Sequence, residues 1–305
     1  MQQRREEKFS MVPLSINTLQ AQILGLPMRD TRSILLAFDG VQPVGYVHTT
    51  FALDEKGHDF DYTTGQICFL CIDPDCPNAT SVASELIQAG ENYLIGLGAQ
   101  TIFGGSPPPS APFYTGFYSG GEAVGFLYSD SAIIHAFHIA NYEIHQKSVW
   151  FHFDLNAQTP SVTEDTISYY TDLEVEIRET HGSKAWSEGC VLANGIWFDV
   201  TAYLTQTRRP IARLRMRIAY PDTENILTMY GGTWLASLIE LRVHPNFVGK
   251  GVATFVLKEL ILYLAAQNQH FQVEAHAVEG SPLFDLLRSQ MWQERDSGCV
   301  FIKTL

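Results

Sequence analysis

Nothing in this sequence is built as a membrane-spanning helix: no apolar run reaches the roughly 20 residues that a span needs. Positive charge is scarce too. Lysine and arginine number 20 against 33 aspartates and glutamates, a net charge of −13. Nucleic acid binding needs a basic face, so neither nucleic acid nor membrane is expected as a partner. A cationic or amine substrate is compatible with the acidic sign. Cysteine is sparse and odd in number: Cys68, Cys71, Cys76, Cys190 and Cys299. Cys68-x-x-Cys71 has a metal-ligand spacing, but no second Cys/His pair at zinc spacing follows. Both fall in a run that reads as a strand, where residues three apart point to opposite faces. They read as buried free thiols, with no metal expected. The Gly-x-Ser-x-Gly elbow of hydrolases is missing. Residues Met1–Lys8 are charged and no apolar h-region follows, so a signal peptide is not expected and the chain is expected to work in the cytoplasm. What is present is apolar mass. Hydrophobic residues make up 46% and charged ones 17% of 305 residues, a globular composition with room for two domains.

The stretch Leu238–Ala253 organises the rest. Leu238-Ile239-Glu240-Leu241-Arg242-Val243 reads as a strand, and His244-Pro245 stops it. Val248-Gly249-Lys250-Gly251-Val252-Ala253 then leads at once into a helix. Its apolar positions Val252, Phe255, Val256, Leu260 and Leu264 share one face. A glycine-rich turn feeding a helix N-terminus aims free backbone N–H groups and the positive end of the helix dipole at one point. Such a turn holds phosphate without basic side chains. Its other reading is a tight strand-to-helix turn with no ligand.

The first half repeats this order. Phe69–Pro74 falls on Glu240–Pro245 at an offset of 171 residues. At that offset the predicted helix Ala79–Leu97 falls on Lys250–Asn268, and the strand Gln100–Phe103 on Phe271–Glu274. A helix at 130–140 followed by Asn141-Tyr142-Glu143 answers a helix at 281–290 followed by Met291-Trp292-Gln293. Upstream, residues 15–26 read as a helix capped by Ser15. Arg32–Phe38 and Val44–Phe51 read as a hairpin turned at Asp39-Gly40. The alternating strand Ser148–Leu155 ends the first copy, and the polar stretch Asn156–Asp165 reads as a linker. The expected architecture is α/β (α+β), two tandem domains at residues 1–155 and 166–305. Each is a mixed, largely antiparallel sheet flanked by helices.

The order strand, Val-His-Pro, short loop, Gly-Lys-Gly-Val-Ala, helix, strand, helix resembles the acetyl-CoA-binding core of the GNAT superfamily of N-acyltransferases. That family's loop reads Gln/Arg-x-x-Gly-x-Gly/Ala; Gly251 and Ala253 match it, and Val248 stands at the Gln/Arg position. The doubled pattern is similar to the tandem, mycothiol synthase-like arrangement over nearly the whole chain. The resemblance implies acetyl-CoA, or another acyl-CoA, as co-substrate. The backbone of Leu241, Arg242 and Val243 would follow the pantetheine arm. Val248, Gly249, Lys250, Gly251, Val252 and Ala253 would surround the pyrophosphate. It implies an N-acyltransferase, an N-acetyltransferase first, acting on the amine of a small molecule. The family's tyrosine acid has no counterpart, because Leu287 stands there. Gly280 or Ser281 stands where the family has an asparagine.

In copy one Asn78 lies opposite Gly249 and Thr80 opposite Gly251, while Pro77 has no N–H to donate. A Cβ crowds the approach of a pyrophosphate, so this lobe is expected not to bind CoA. Copy one also carries the proline- and aromatic-rich insert Ser106–Glu122. It reads either as packing between lobes or as a substrate wall. For proton transfer, Glu240 reads either as a base whose pKa an apolar strand would raise, or as one partner of a salt bridge. His276, at the end of the next strand, is a second candidate. His244, held extended before Pro245, reads as positional. The alternative function is a non-catalytic acyl-CoA-binding or regulatory protein with the same fold, favoured by the missing tyrosine and asparagine.

Overall fold

The structure is a computed structural model, and it describes residues 20, 31–54, 59–105, 125–155, 172–181, 195–219, 234–267 and 271–305. The expected helix at 15–26 (save residue 20), the insert at 106–122, the linker at 156–165, and Cys190 lie outside the described residues.

Strands form where apolar and polar residues alternate. The first half supplies β1 (Ile34–Asp39), β2 (Gln42–Leu53), β3 (Phe60–Ile72), β4 (Thr101–Gly104), β5 (Phe126–Leu127) and β6 (Glu143–Asp154). The second supplies β7 (Leu173–His181), β8 (Gly195–Leu204), β9 (Arg209–Ala219), β10 (Trp234–Val243), β11 (Phe271–Val278) and β12 (Gln293–Thr304). Helices α1 (Ala79–Gly96) and α2 (Ser131–Ile139) belong to the first half, α3 (Val252–Ala265) and α4 (Pro282–Ser289) to the second. None of the described helices is long and apolar enough to cross a membrane.

The two shorter helices end alike, and this is the repeat at its plainest. Asn141 and Met291 take left-handed φ values of 60° and 61°. The next N–H reaches back to close the last turn, Tyr142 to the Phe137 carbonyl at 3.0 Å and Trp292 to the Leu287 carbonyl at 3.1 Å. This is a Schellman closure, and each time the following aromatic, Tyr142 or Trp292, is buried. One boundary differs from expectation. The offset placed a helix start at Lys250, but α3 begins at Val252. Gly249 and Gly251 both hold positive φ, 75° and 78°, so the chain is still turning where copy one is already helical.

The twelve strands among the described residues form one sheet in the order β1-β2-β3-β4-β12-β6-β11-β10-β9-β8-β7, with β5 beside β12. Only β3–β4 and β10–β11 are parallel among these pairs. The halves have traded their last strands. β6 lies between β11 and β12 of the second half, and β12 lies between β4 and β6 of the first. The helices of both halves pack on one face. Val149, Phe151 and Phe153 of β6 join the core under α3 and α4. Cys299 and Phe301 of β12 join the core under α1 and α2. The register Ser297↔Val149 and Cys299↔Lys147 puts these residues on the same side.

Candidate functional site

In each half the two parallel strands diverge like a fork. β10 pairs with β11 only from Trp234↔Phe271 to Leu238↔Ala275, and then the two part, β10 running on beside β9 to Val243 and β11 beside β6 to Val278. A bulge at Ile239 starts the divergence, since Leu238 pairs with Met216 and Glu240 with Arg215. Beyond it, Glu240–Val243 bond β9 on one side, and their other edge faces the fork. Among the described residues, Leu241, Arg242 and Val243 therefore carry an open backbone edge. In the first half the last pair is Ile67↔Gly104, and β3 runs on to Ile72. The two last pairs are related by the same 171-residue offset as the sequence repeat.

The end of β10 delivers the chain to the glycine turn. His244 fastens this corner: its Nδ1 accepts from Asn246 N–H at 3.3 Å, and its Nε2 lies 3.0 Å from Arg209 Nη2. Gly251 is the N-cap of α3, and no side chain bonds the cap. The first-turn N–H groups of Val252 and Ala253 thus point out of the helix with its dipole behind them. A Cβ built at Gly249 meets nothing within 4 Å, so space for an anion lies over the turn. Val248 is extended and 59% exposed. Lys250 Nζ lies over the Phe247 ring at 5.4 Å. These features fit a pyrophosphate. In copy one the N-cap is Asn78 with an ordinary φ of −114°, and the left-handed turn is not made.

The face opposite the helices is polar where it borders the second fork. Paired residues share a face, so the registers place Arg217, Ser237 and Glu274 in one row, with His152 continuing it on β6. All four are buried. Burial pushes the Arg217 guanidinium down to about 10. The next row holds Asp199, Arg215 and Glu240 on one side of the fork, and His276 and Trp150 on the other. Glu240 and His276 are thus the first residues past the bulge and past the last pair, on the same face. Of the two readings of Glu240, the ion pair is the one found. Its carboxylate is ion-paired with Arg242, because a period of two puts both on the polar face. His276 is half-buried as a residue, and its two ring nitrogens are buried with no hydrogen-bond partner among the described residues. Its ring meets Trp150 edge-on at 6.0 Å. Burial pushes its pKa down to about 3, so the ring is neutral.

Sequence reasoning missed the row on β9. Arg213, Arg215 and Arg217 alternate with Leu214, Met216 and Ile218 at a period of two, a signal that was legible. In the first half, offset by 171, Phe69 stands for Glu240, Phe103 for Glu274 and Gly105 for His276. That fork is lined by aromatics: Tyr46 against Phe69 at 5.4 Å and Phe103 against His145 at 5.2 Å. Cys68 is buried, donates to the His48 carbonyl at 3.1 Å, and burial raises its pKa. An open groove of about 520 Å³ lies between the start of α1 at Thr80 and the α2 residues Ser131, Ile134, His135 and His138.

No sequence family and no curated protein matches the chain. Solved structures do. A tandem GNAT protein from the clavulanic acid biosynthesis pathway, solved without acetyl-CoA, superposes with a TM-score of 0.63 at 11% identity, covering 99% of this chain and 91% of that one. A GCN5-related N-acetyltransferase from Sphaerobacter thermophilus superposes with a TM-score of 0.56 at 12% identity, covering 93% and 85%. The glucosamine N-acetyltransferase region of a fungal multi-domain β-N-acetylglucosaminidase gives 0.58 at 13% identity, with 94% of this chain matching 36% of that one. At these identities the likeness is one of fold. The chain folds as a tandem GNAT protein.

Proposed function

We propose, on the premise of this tandem GNAT fold, that the second half transfers an acetyl group from acetyl-CoA to the amine of a small molecule. One observation carries the reading: of two equivalent forks, only the second combines a left-handed glycine turn with titratable residues at its mouth. Acetyl-CoA supplies the acetyl group as a thioester. The turn Val248–Ala253 would hold its pyrophosphate by backbone N–H groups. The open edge of Leu241, Arg242 and Val243 would pair with the amides of the pantetheine arm.

The acceptor reaches the fork from the polar face, because α3 and α4 fill the other with apolar core. An amine must lose a proton to become a nucleophile. Glu240 receives it, directly or through water, and Arg242 steadies the carboxylate. His276 is a poor base with its lowered pKa. It serves as a neutral donor and acceptor that positions the amine or polarises the thioester carbonyl. Closing these groups off from water strengthens each of them.

A second reading, binding without catalysis, is favoured by Leu287, which is fully buried in the core and offers no hydroxyl to the departing thiolate. Calorimetry with acetyl-CoA, followed by free-thiol release across a panel of amines, separates the two. Binding with thiol release supports transfer, and binding with no release from any amine supports the second reading. Gly251→Glu puts a charged side chain on a left-handed position and is expected to abolish binding while the protein still melts cooperatively. Unaltered binding in that variant would sink the cofactor site.

A further inference from the structure

The second fork is backed by a residue of the first half. The strand order β10, β11, β6 puts His276 at the fork, and the register Trp150↔His276 puts Trp150 directly behind it. Val149 and Phe151 of β6 and Ala275 and Ala277 of β11 belong to the core under α3 and α4. A period of two therefore turns Trp150 and His276 together to the opposite face. Their ring planes stand at 89° with centroids 6.0 Å apart. Trp150 is 2% exposed. Neither its Nε1 nor either nitrogen of the His276 ring has a hydrogen-bond partner among the described residues. Packing, not hydrogen bonding, thus sets the plane of this imidazole, and the packed partner is the indole.

Charged groups stand around the pair, and each is held elsewhere or set apart. Glu274 comes two residues before His276 on β11, and His152 two residues after Trp150 on β6. Asp296 of β12 pairs with Trp150 in register, but its carboxylate accepts from Ser129 Oγ at 2.9 Å and from Ser297 N–H at 2.7 Å. Across the fork, Glu240 is ion-paired with Arg242, and on β9 Arg215 reaches Asp199 while Arg217 stands one row back. Burial is what keeps His276 neutral.

The first half supplies the comparison. At the 171-residue offset, His276 corresponds to Gly105. The matching helix ends Asn141 and Met291 lie 150 residues apart, and the same step carries Trp150 to Val300. Phe301 pairs with Gly104, so Val300 and Gly105 are the next residues along their strands. The fork with the glycine turn carries histidine backed by tryptophan. The fork without it carries glycine and valine.

We propose that Trp150 is a positioning residue of the second fork: its indole, carried in by the traded strand, fixes the plane of the His276 ring and walls its back off from water. The first half is then part of the second half's site, and β6 is the piece it contributes. His276 offers a neutral edge to the fork while the indole stands behind it. A smaller side chain there admits water, and with water a proton. The use of this wall in catalysis rests on the transferase reading; the wall itself does not.

The test is therefore read first on the ring. The full chain is labelled with nitrogen-15 histidine, without acetyl-CoA, and the His276 ring signals are identified by their loss in His276→Gln. In the unaltered protein they are expected to show one neutral tautomer and no titration between about pH 8 and 5. Trp150→Phe keeps a flat wall and is expected to preserve both properties. Trp150→Ala is expected to raise the titration midpoint by at least about one pH unit, toward the ordinary ~6.5, and to mix the tautomers. Should the alanine variant not fold, Trp150→Leu is read in the same way, because leucine restores bulk without a flat face. A ring that already titrates near ~6.5 in the unaltered protein, or one unmoved in a folded alanine or leucine variant, would overturn the proposal. With any amine that releases thiol, Trp150→Ala is expected to lower kcat about tenfold at an unchanged KM for acetyl-CoA, and Trp150→Phe to recover most of that loss. No thiol release from any amine overturns the transferase reading alone, and the ring measurement still decides the place of Trp150.

Discussion

His276 shows how one residue ties the site to stability. Its folded pKa is about 3, while an unfolded histidine titrates near ~6.5. As the pH falls, the unfolded chain takes the proton first. The ring's contribution is therefore complete above about pH 6.5 and is lost as the pH drops toward 3, by roughly 1.4 kcal/mol per pH unit for each such group. His152, pushed down to about 4 chiefly by burial and next by Arg295, acts with the same sign over a narrower window. His276→Gln is expected to flatten the acid limb of stability, read from urea midpoints between pH 6.5 and 3, and to leave the slope above pH 7 unchanged. An unchanged acid slope would mean that the native ring is already charged. Met291 is a liability of another kind. It is 77% exposed and left-handed, a conformation that costs a residue with a Cβ about 1–2 kcal/mol. Met291→Gly removes that strain and no buried contact. Urea unfolding should show a gain of about 1 kcal/mol, where Asn141 in the other copy already uses a tolerant residue.

Among the elements, the forks were legible in the sequence because a strand, a proline stop and a helix recur at one offset. The contrast between Gly249-Lys250-Gly251 and its eroded counterpart was legible as well, since glycine has a conformational meaning that no neighbour has to supply. Which of its two readings Glu240 would take was not. A bulge at Ile239 shifts the register by one residue, and a strand's face is set by parity. Nor was the traded strand. Val149, Phe151 and Phe153 alternate correctly for any neighbour, so the pattern states which face β6 presents but not which strand lies beside it. The trade is held by a polar contact across the halves. Lys303 Nζ on β12 meets Glu91 Oε1 on α1 at 2.8 Å, and lies over the Tyr142 ring at 5.3 Å. Glu91 is 3% exposed, so removing its partner strands a buried carboxylate. Lys303→Met is expected to cost about 3 kcal/mol, and Glu91→Met in the same chain to recover most of it. Additive losses in that double-mutant cycle would mean that the two groups do not interact.

At the scale of the whole molecule, the trade of β6 and β12 decides what can unfold separately. Two lobes joined only by a linker would show two transitions. Here β6 bonds both β11 and β12, and β12 bonds both β4 and β6, so neither half completes its sheet from its own stretch of chain. Phe301, fully buried, stacks on Phe137 at 4.7 Å within the first half's core. Phe153, from the first half, packs on Trp292 at 5.5 Å within the second. Opening either lobe therefore exposes apolar surface in the other, and each fully buried aromatic is worth roughly 1.5–3 kcal/mol. Such coupling predicts one cooperative transition, with far-ultraviolet circular dichroism and tryptophan fluorescence coincident in urea. It also predicts that residues 1–155 and 166–305, produced as separate chains, bind no acetyl-CoA singly and regain binding on mixing. The glycine turn and the second fork sit wholly in the later fragment, so binding by that fragment alone would show that β6 is dispensable to the site, and the coupling proposed between the lobes would fall.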